Sequence, residues 1–356
     1  MSCVFKKHLQ TILPIVAISV VCILIISKSA SASDGVRQAL SICAIVIIPS
    51  LFPFMVFSAF VIKSGIYTKI GKIIGKPIGY IFNLPPLTAG AIIMGFIGGY
   101  PIGLSMTAQL FQLGVIDEKQ AQRLACFNVN AGPAFIIAAV GEAIYISKNI
   151  GYILLASVLL SSLTIGIALG IISRIKDGKS KNKAFSGERT GLINAFVSAT
   201  ESASKSMFSV CSWIITFGVV IEFIKNLPLT KDWLTLLCGI VEVTSGCSSA
   251  AGVFPVYITA VFIAFGGFCI FFQILPNVKT TGLKIRTFLL SRIAAATLSG
   301  VYCKLLTLIF PISSEVFSNN VNTLPQNFSV SIPTTICLVI TCAFLIFEVD
   351  RNKKIC

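Results

Sequence analysis

The sequence predicts an all-α polytopic integral membrane protein, with about eight transmembrane helices and two re-entrant hairpins in an inverted repeat. Three observations carry that expectation. Hydrophobic residues make up 55% of the chain and charged residues only 12%, with a mean hydropathy of +0.92, whereas soluble proteins carry about 25% charged residues. Ten apolar stretches of near-spanning length follow one another along the 356 residues. The basic loops between them balance across a membrane only if two of the stretches enter and leave by the same face.

Thr11 to Ile26 follows Lys6 and Lys7 and precedes the A-x-A-like run Ser29-Ala30-Ser31-Ala32-Ser33. It exceeds the about 7–15 apolar residues of a signal peptide, so an uncleaved first span is expected. Leu40 to Ile62 is a full span. Leu84 to Phe111 contains Gly98-Gly99-Tyr100-Pro101-Ile102-Gly103. That run would leave backbone groups unpaired in lipid, so it belongs where the chain is buried in protein or lines a cavity. Leu124 to Tyr145 is interrupted at Asn128-Val129-Asn130-Ala131-Gly132-Pro133, and Tyr152 to Ile172 closes the first half. The second half reads Met207 to Phe223, then Trp233 to Val253 with a fold expected at Thr244-Ser245-Gly246-Cys247-Ser248-Ser249. Val256 to Leu275, broken at Gly266-Gly267, Ile293 to Phe310 and Ile332 to Phe347 complete the set.

Charge assigns the sides. Lys63 to Asn83 carries Lys63, Lys69, Lys72 and Lys76 without an acid, and Arg174 to Lys205, Asn277 to Arg292 and the tail with Arg351, Lys353 and Lys354 are also basic. All are expected in the cytoplasm, while Pro311 to Ser331, without Lys or Arg, is expected outside. Three stretches separate the first and second basic loops, and three separate the second and third; an odd number cannot return to one side. Folding 84–111 and 233–253 into hairpins resolves both conflicts, places both termini in the cytoplasm and gives the halves opposite orientation. The resulting organisation is an N-terminal span and external linker (1–39), a first repeat (40–173), a basic linker (174–206), an inverted second repeat (207–310) and an external loop with the last span (311–356).

Several functions are excluded. The net charge of +15 follows membrane topology, not a nucleic-acid-binding face. The twelve cysteines contain no Cys-x-x-Cys pair and read as small core residues. His8 is the single histidine, which removes Ser-His-Asp, Cys-His and zinc-type arrangements. Gly75-Lys76 is followed by Pro77 and lacks the upstream glycine of a phosphate loop. No enzyme activity, cofactor or metal is expected.

The candidate site lies at the interruptions. Backbone exposed at Gly98, Gly99, Tyr100, Gly266 and Gly267, and side chains of Asn128, Asn130, Thr244, Ser245 and Ser248, are expected to bind substrate; half-helix N-termini add positive dipole ends for an anion. The same polar groups also suit capping of the broken helices. Glu242, beside the second hairpin, is read either as an ion-coupling residue or as a structural cap. Glu142, Glu222 and Lys304 are expected at the interfaces, and Gln273 in helix packing. Lys69, Lys72 and Lys76 fit an interfacial helix, with Gly71, Gly75 and Gly79 allowing close contact.

The runs Ile48-Pro49-Ser50-Leu51-Phe52-Pro53-Phe54, Gly99-Tyr100-Pro101-Ile102-Gly103 and Asn128 to Phe135 resemble the YlbJ-type sporulation integral membrane proteins, within the wider "nucleoside recognition" or Gate group. The resemblance covers Leu40 to Leu275 and is looser at Gly246-Cys247-Ser248-Ser249. It implies a fold similar to concentrative nucleoside transporters, a place in the bacterial membrane at the outer forespore membrane, and movement of dipicolinic acid toward the forespore. The expected function is therefore secondary transport of a small anionic metabolite. A nucleoside transporter and a non-transporting scaffold for spore-envelope assembly stand as alternatives. Expected partners are the anion, the lipid bilayer, a coupling ion and further copies of the chain, without nucleic acid.

Overall fold

The computed structural model describes residues 19, 22, 23, 25–178 and 191–310. Most of the predicted first span, the predicted external loop and the predicted last span lie outside the described residues. The described residues belong to one compact unit, Met1–Ser313, and all the regular structure among them is helical. Among the described residues five helices are long and apolar enough to cross a membrane, or six if a bent pair counts as one span.

Helix α1 (Ser29–Lys63) is α-helical at both ends and π-helical over Cys43–Ile47. Pro49 explains the widening: it lacks an N–H and its ring crowds the carbonyl of Ile45, inside that stretch. Residues 29–39 were expected to be an external linker, yet they are helical. Ala32, Gly35 and Ala39 are buried on one face, and a Cβ on Gly35 would lie 2.8 Å from the Gly218 carbonyl oxygen. A small-residue stripe against a partner helix thus outweighs the polar look of the segment.

Helix α2 (Ile66–Phe82) lies between left-handed Gly65 (φ 74°) and Asn83 (φ 51°). The chain then turns by 104° into α3 (Ala89–Gly98) and, after Gly99, α4 (Tyr100–Gln112). Helix α5 (Glu118–Asn128) opens with a capping box between Asp117 and Gln120. An extended stretch leads to π-helical α6 (Phe135–Ile144), and α7 (Lys148–Asp177) follows.

Helix α8 (Leu192–Lys225) starts well before the expected Met207. Ala195, Ala199 and Ala203 are buried along one face, and Phe196 packs edge-on against Phe60 of α1 with ring centroids 6.0 Å apart. The polar residues that suggested a linker occupy the other faces. The remaining elements are α9 (Lys231–Val241), α10 (Val243–Ala250), α11 (Val256–Phe265), α12 (Gly267–Thr281) and α13 (Ile285–Ile309).

In each half two short helices fold back on each other. Asn128 Nδ2 donates to the carbonyls of Ala91, at 3.0 Å, and Gly103, at 3.3 Å. Those two carbonyls are therefore no more than about 6 Å apart, whereas a continuous helix would separate them by about 18 Å. Helices α3 and α4 fold back on each other at Gly99. In the second half Thr235 Oγ1 donates to the Ser249 carbonyl, at 3.4 Å, and Gly239 abuts Gly246. This pairing puts the second turn at Glu242. The fold expected at Thr244 to Ser249 is corrected: those residues form the returning helix α10, because a carboxylate at 242 supplies the cap that lets a new helix start there.

The same construction then occurs twice. The Gly99 turn packs on the first interruption, with a Cβ at Gly99 lying 3.2 Å from the Gly132 nitrogen. The Glu242 turn packs on the second, where a Cβ at Gly267 would lie 3.0 Å from the Val241 carbonyl oxygen.

Candidate functional site

The first interruption leaves carbonyls that no continuing helix can pair. Val129 would have paired with residue 133, which is Pro133 and has no N–H. Arg292 on α13 donates through its two terminal nitrogens to the carbonyls of Val129 and Cys126. Asn130 Nδ2 donates to the Phe127 carbonyl, at 2.7 Å, and its Oδ1 accepts from Ser162 Oγ, at 2.6 Å. Arg292 is 1% exposed, lies 5.4 Å from the Phe288 ring centroid and keeps its Nε without a hydrogen-bond partner. A cation at the negative end of half-helix α5 is where the helix dipole favours one. Sequence reading had put Arg292 in a basic loop.

The second interruption uses less. Gly266 (φ 89°) and Gly267 (φ 75°) adopt left-handed backbone that glycine alone takes without strain. The Gly266 amide donates to the Phe262 carbonyl, at 2.9 Å. The next carbonyl, that of Ile263, accepts from the Tyr100 hydroxyl, and the Tyr100 ring lies against Gly266. Each interruption is thus completed by a side chain from the other half: Arg292 for the first, Tyr100 for the second. Tyr145 Oη and Thr259 Oγ1, 2.6 Å apart, add a third link between the halves.

Between these parts lies a small cavity of about 40 Å³. Gly99, Tyr100 and Pro101 of the first turn, and Glu242, Val243 and Thr244 of the second, face each other across it. Gly132, Phe135 and Gln273 also reach it. Ile47 closes one wall at the end of the π stretch of α1, and Phe135 opens the π-helix α6 on another; such local widenings of a helix recur at functional sites.

The structure therefore brings together Gly99, Tyr100, Thr244 and Glu242 of the expected site. It does not bring the others to the cavity wall. Gly98 is buried at the end of α3. Asn128 and Asn130 are buried outside the cavity lining with their amide nitrogens on backbone carbonyls. Ser245 gives its amide to Glu242, Ser248 is exposed on α10, and Gly266 and Gly267 act as close-packed backbone under Tyr100 and Glu242. Glu242 caps α10, accepting from the amides of Thr244 at 2.9 Å and Ser245 at 2.7 Å. Gln273, expected in helix packing, donates to Cys269 Sγ at 3.2 Å, is 8% exposed and also lines the cavity. Its position two turns beyond Gly266 was a legible signal. Glu142 and Glu222 pair with Lys148 and Lys225 near helix ends, both at 3.2 Å.

Among the described residues no group of three or more His, Cys, Asp or Glu is placed to hold a metal ion.

Residues 44–147 match the family model described as nucleoside recognition (Gate), a region that spans the first hairpin and the first interruption. The chain is 24% identical over 322 residues to the sporulation integral membrane protein YlbJ of Bacillus subtilis (strain 168), a match that covers 79% of each chain. No solved structure matches it. This protein is accordingly similar over residues 44–147 to the nucleoside-recognition (Gate) family and, over most of its length, to the sporulation integral membrane protein YlbJ.

Proposed function

We propose that this protein is a secondary transporter of a small anionic metabolite, with dipicolinate moving toward the forespore as its cargo. One observation carries the reading: the hairpin turns of the two separate halves, together with Gly132 of the first interruption, line one small pocket. Non-helical backbone at membrane depth is tolerated where it lines such a space, and interrupted helices meeting at a central site are the working parts of many secondary transporters. Opposite orientation of the halves, read from the loop charges, fits the same design.

The polarity of the site supports an anion. Helix α4 starts at Tyr100 on the cavity wall without a side-chain cap, so its positive end faces the space. The corresponding start of α10 already holds a carboxylate, that of Glu242. At about 40 Å³ the cavity holds a few waters and no aromatic dianion, so loading requires the turns to part. Lipid at the outer face, a coupling ion and self-association complete the proposed partners, and no catalysis is assigned.

The description of the matching family favours a second reading, a nucleoside carrier. Uptake by the full-length protein in proteoliposomes separates the two. Accumulation of labelled dipicolinate, undiminished by excess uridine or inosine, supports the anion reading. Uptake of the nucleosides with none of dipicolinate replaces it with the second, and no uptake of either over empty liposomes removes both.

A further inference from the structure

A second cavity of about 30 Å³ lies beside Pro101, on the side away from the Glu242 turn, and Pro101 borders both spaces. Three helices carry the lining from one to the other by steps of three or four residues, which keep to a single helix face. On α1 the series runs from Ile47 and Leu51 at the central cavity to Met55 and Ser58 at the second. On α8 it runs from Ile214 and Val210 to Ser206 and Ser202. On α4 it runs from Pro101 to Ser105 and Gln109.

The wall changes character along this seam. Around the central cavity α1 and α8 present branched apolar side chains; around the second they add the hydroxyls of Ser58, Ser202 and Ser206 among Met55, Ala59 and Ala203. One turn further stands Lys63, whose Nζ donates to the Ser198 carbonyl at 2.8 Å and to Ser198 Oγ and Ser202 Oγ, both at 2.6 Å. Ser58 Oγ donates to the Phe54 carbonyl at 2.6 Å, and Gln109 Nε2 donates to Ser105 Oγ at 3.3 Å. Serines between membrane helices often serve packing alone. Here they line a space that shares Pro101 with the central cavity, and one of them, Ser202, also accepts from the Lys63 ammonium.

We infer that the seam between α1, α4 and α8 is the passage by which a small anion reaches the central cavity, with Lys63 as the cationic group at its mouth. The inference rests on the transporter reading, deepens it by naming the route, and assigns the route to the end of the molecule that carries the basic loops.

Thiol labelling tests the route without relying on the cargo. Ser105→Cys and Ser206→Cys, in the full-length protein in proteoliposomes, would be treated with an anionic and a cationic methanethiosulfonate, and rates taken as the increment over the unsubstituted chain. Ser212→Cys, on an exposed face of α8, is the comparison. The passage requires both seam positions to react about tenfold faster than Ser212→Cys, with the anionic reagent preferred. Lys63→Gln is expected to cut that preference about tenfold, and Lys63→Arg, which keeps the charge, to preserve it. Reaction no faster than at Ser212→Cys, or a preference indifferent to Lys63→Gln, overturns the passage. Seam labelling as expected with no dipicolinate uptake leaves the passage standing and removes the cargo; uptake without seam labelling removes the passage and leaves the cargo.

Discussion

The two interruptions do the same topological work by different chemistry. The first is a non-helical stretch over 129–132 whose stranded carbonyls are met by side-chain donors: Asn130 within it and, above all, the buried guanidinium of Arg292. The second is two glycines in left-handed backbone, completed by the Tyr100 hydroxyl. The turns that pack on them contrast in the opposite sense. The first turn is glycine alone, and the second is a carboxylate that caps the helix it starts. Each half therefore holds one buried charge, at the helix end whose dipole favours it: Arg292 at the carbonyl end of α5 and Glu242 at the amide end of α10. The asymmetry teaches that the first half is held together by the second half's cation, whereas the second half's turn is self-sufficient.

That comparison breaks most visibly at Arg292. Replacing it by Leu strands two buried carbonyls, and hydrogen bonds from charged groups are worth about 1.5–3 kcal/mol each, so Arg292→Leu is expected to destabilise by about 3–5 kcal/mol. Thermal unfolding in detergent measures the loss, and hydrogen exchange should show amides 129–134 opening before those near 266. Equal loosening of both interruptions would contradict the division of labour.

Gly99→Ala comes next. Gly99 has φ 94° and ψ −176°, a region essentially reserved for glycine and costing others about 1–3 kcal/mol, and the added methyl would lie 3.2 Å from the Gly132 nitrogen. A matching substitution at the second turn, Glu242→Ala, meets no such barrier, because its backbone is extended (φ −147°); it loses only a cap, about 1 kcal/mol. Unfolding midpoints should rank the two variants in that order.

Much of this design was legible in the sequence, and the failures share a cause. Gly98 to Gly103 announced a turn because no lipid-facing helix accommodates it, and loop charges demanded a second one. The second turn was misplaced because Thr244 to Ser249 looks helix-hostile, while the residue that starts the new helix is the single carboxylate before it. Arg292 was hidden because cations near a helix start normally mark an interface; its acceptors, Cys126 and Val129, are more than 160 residues away. Asn128 and Asn130 were rightly singled out as belonging to the break, yet chemistry alone could not distinguish binding a ligand from closing the backbone. Both are at most 2% exposed and lie outside the cavity lining.

Tyr100→Phe is subtler, since the ring stays against Gly266 and only the hydroxyl leaves. An unsatisfied buried carbonyl costs about 1–3 kcal/mol, so the variant is expected to lose about 1–2 kcal/mol, with faster exchange confined to residues near 263–267. Spread of the effect to residues 126–133 would show the two interruptions to be one cooperative unit.

Glu242→Gln gives the smallest and most informative shift. The amide oxygen keeps one of the two cap bonds, to Thr244 or Ser245, while the negative charge at the positive end of α10 is lost. Retaining one bond limits the destabilisation to about 0.5–1 kcal/mol. The consequence for an anion is larger in principle, because a fixed carboxylate facing Gly99 and Tyr100 across the cavity repels a second negative group and its removal relieves that repulsion. Anion binding by the full-length protein should therefore strengthen in Glu242→Gln while stability falls slightly. Weaker binding together with lower stability would mean that the carboxylate aids loading, and that the second turn belongs to the transport machinery as well as to the fold.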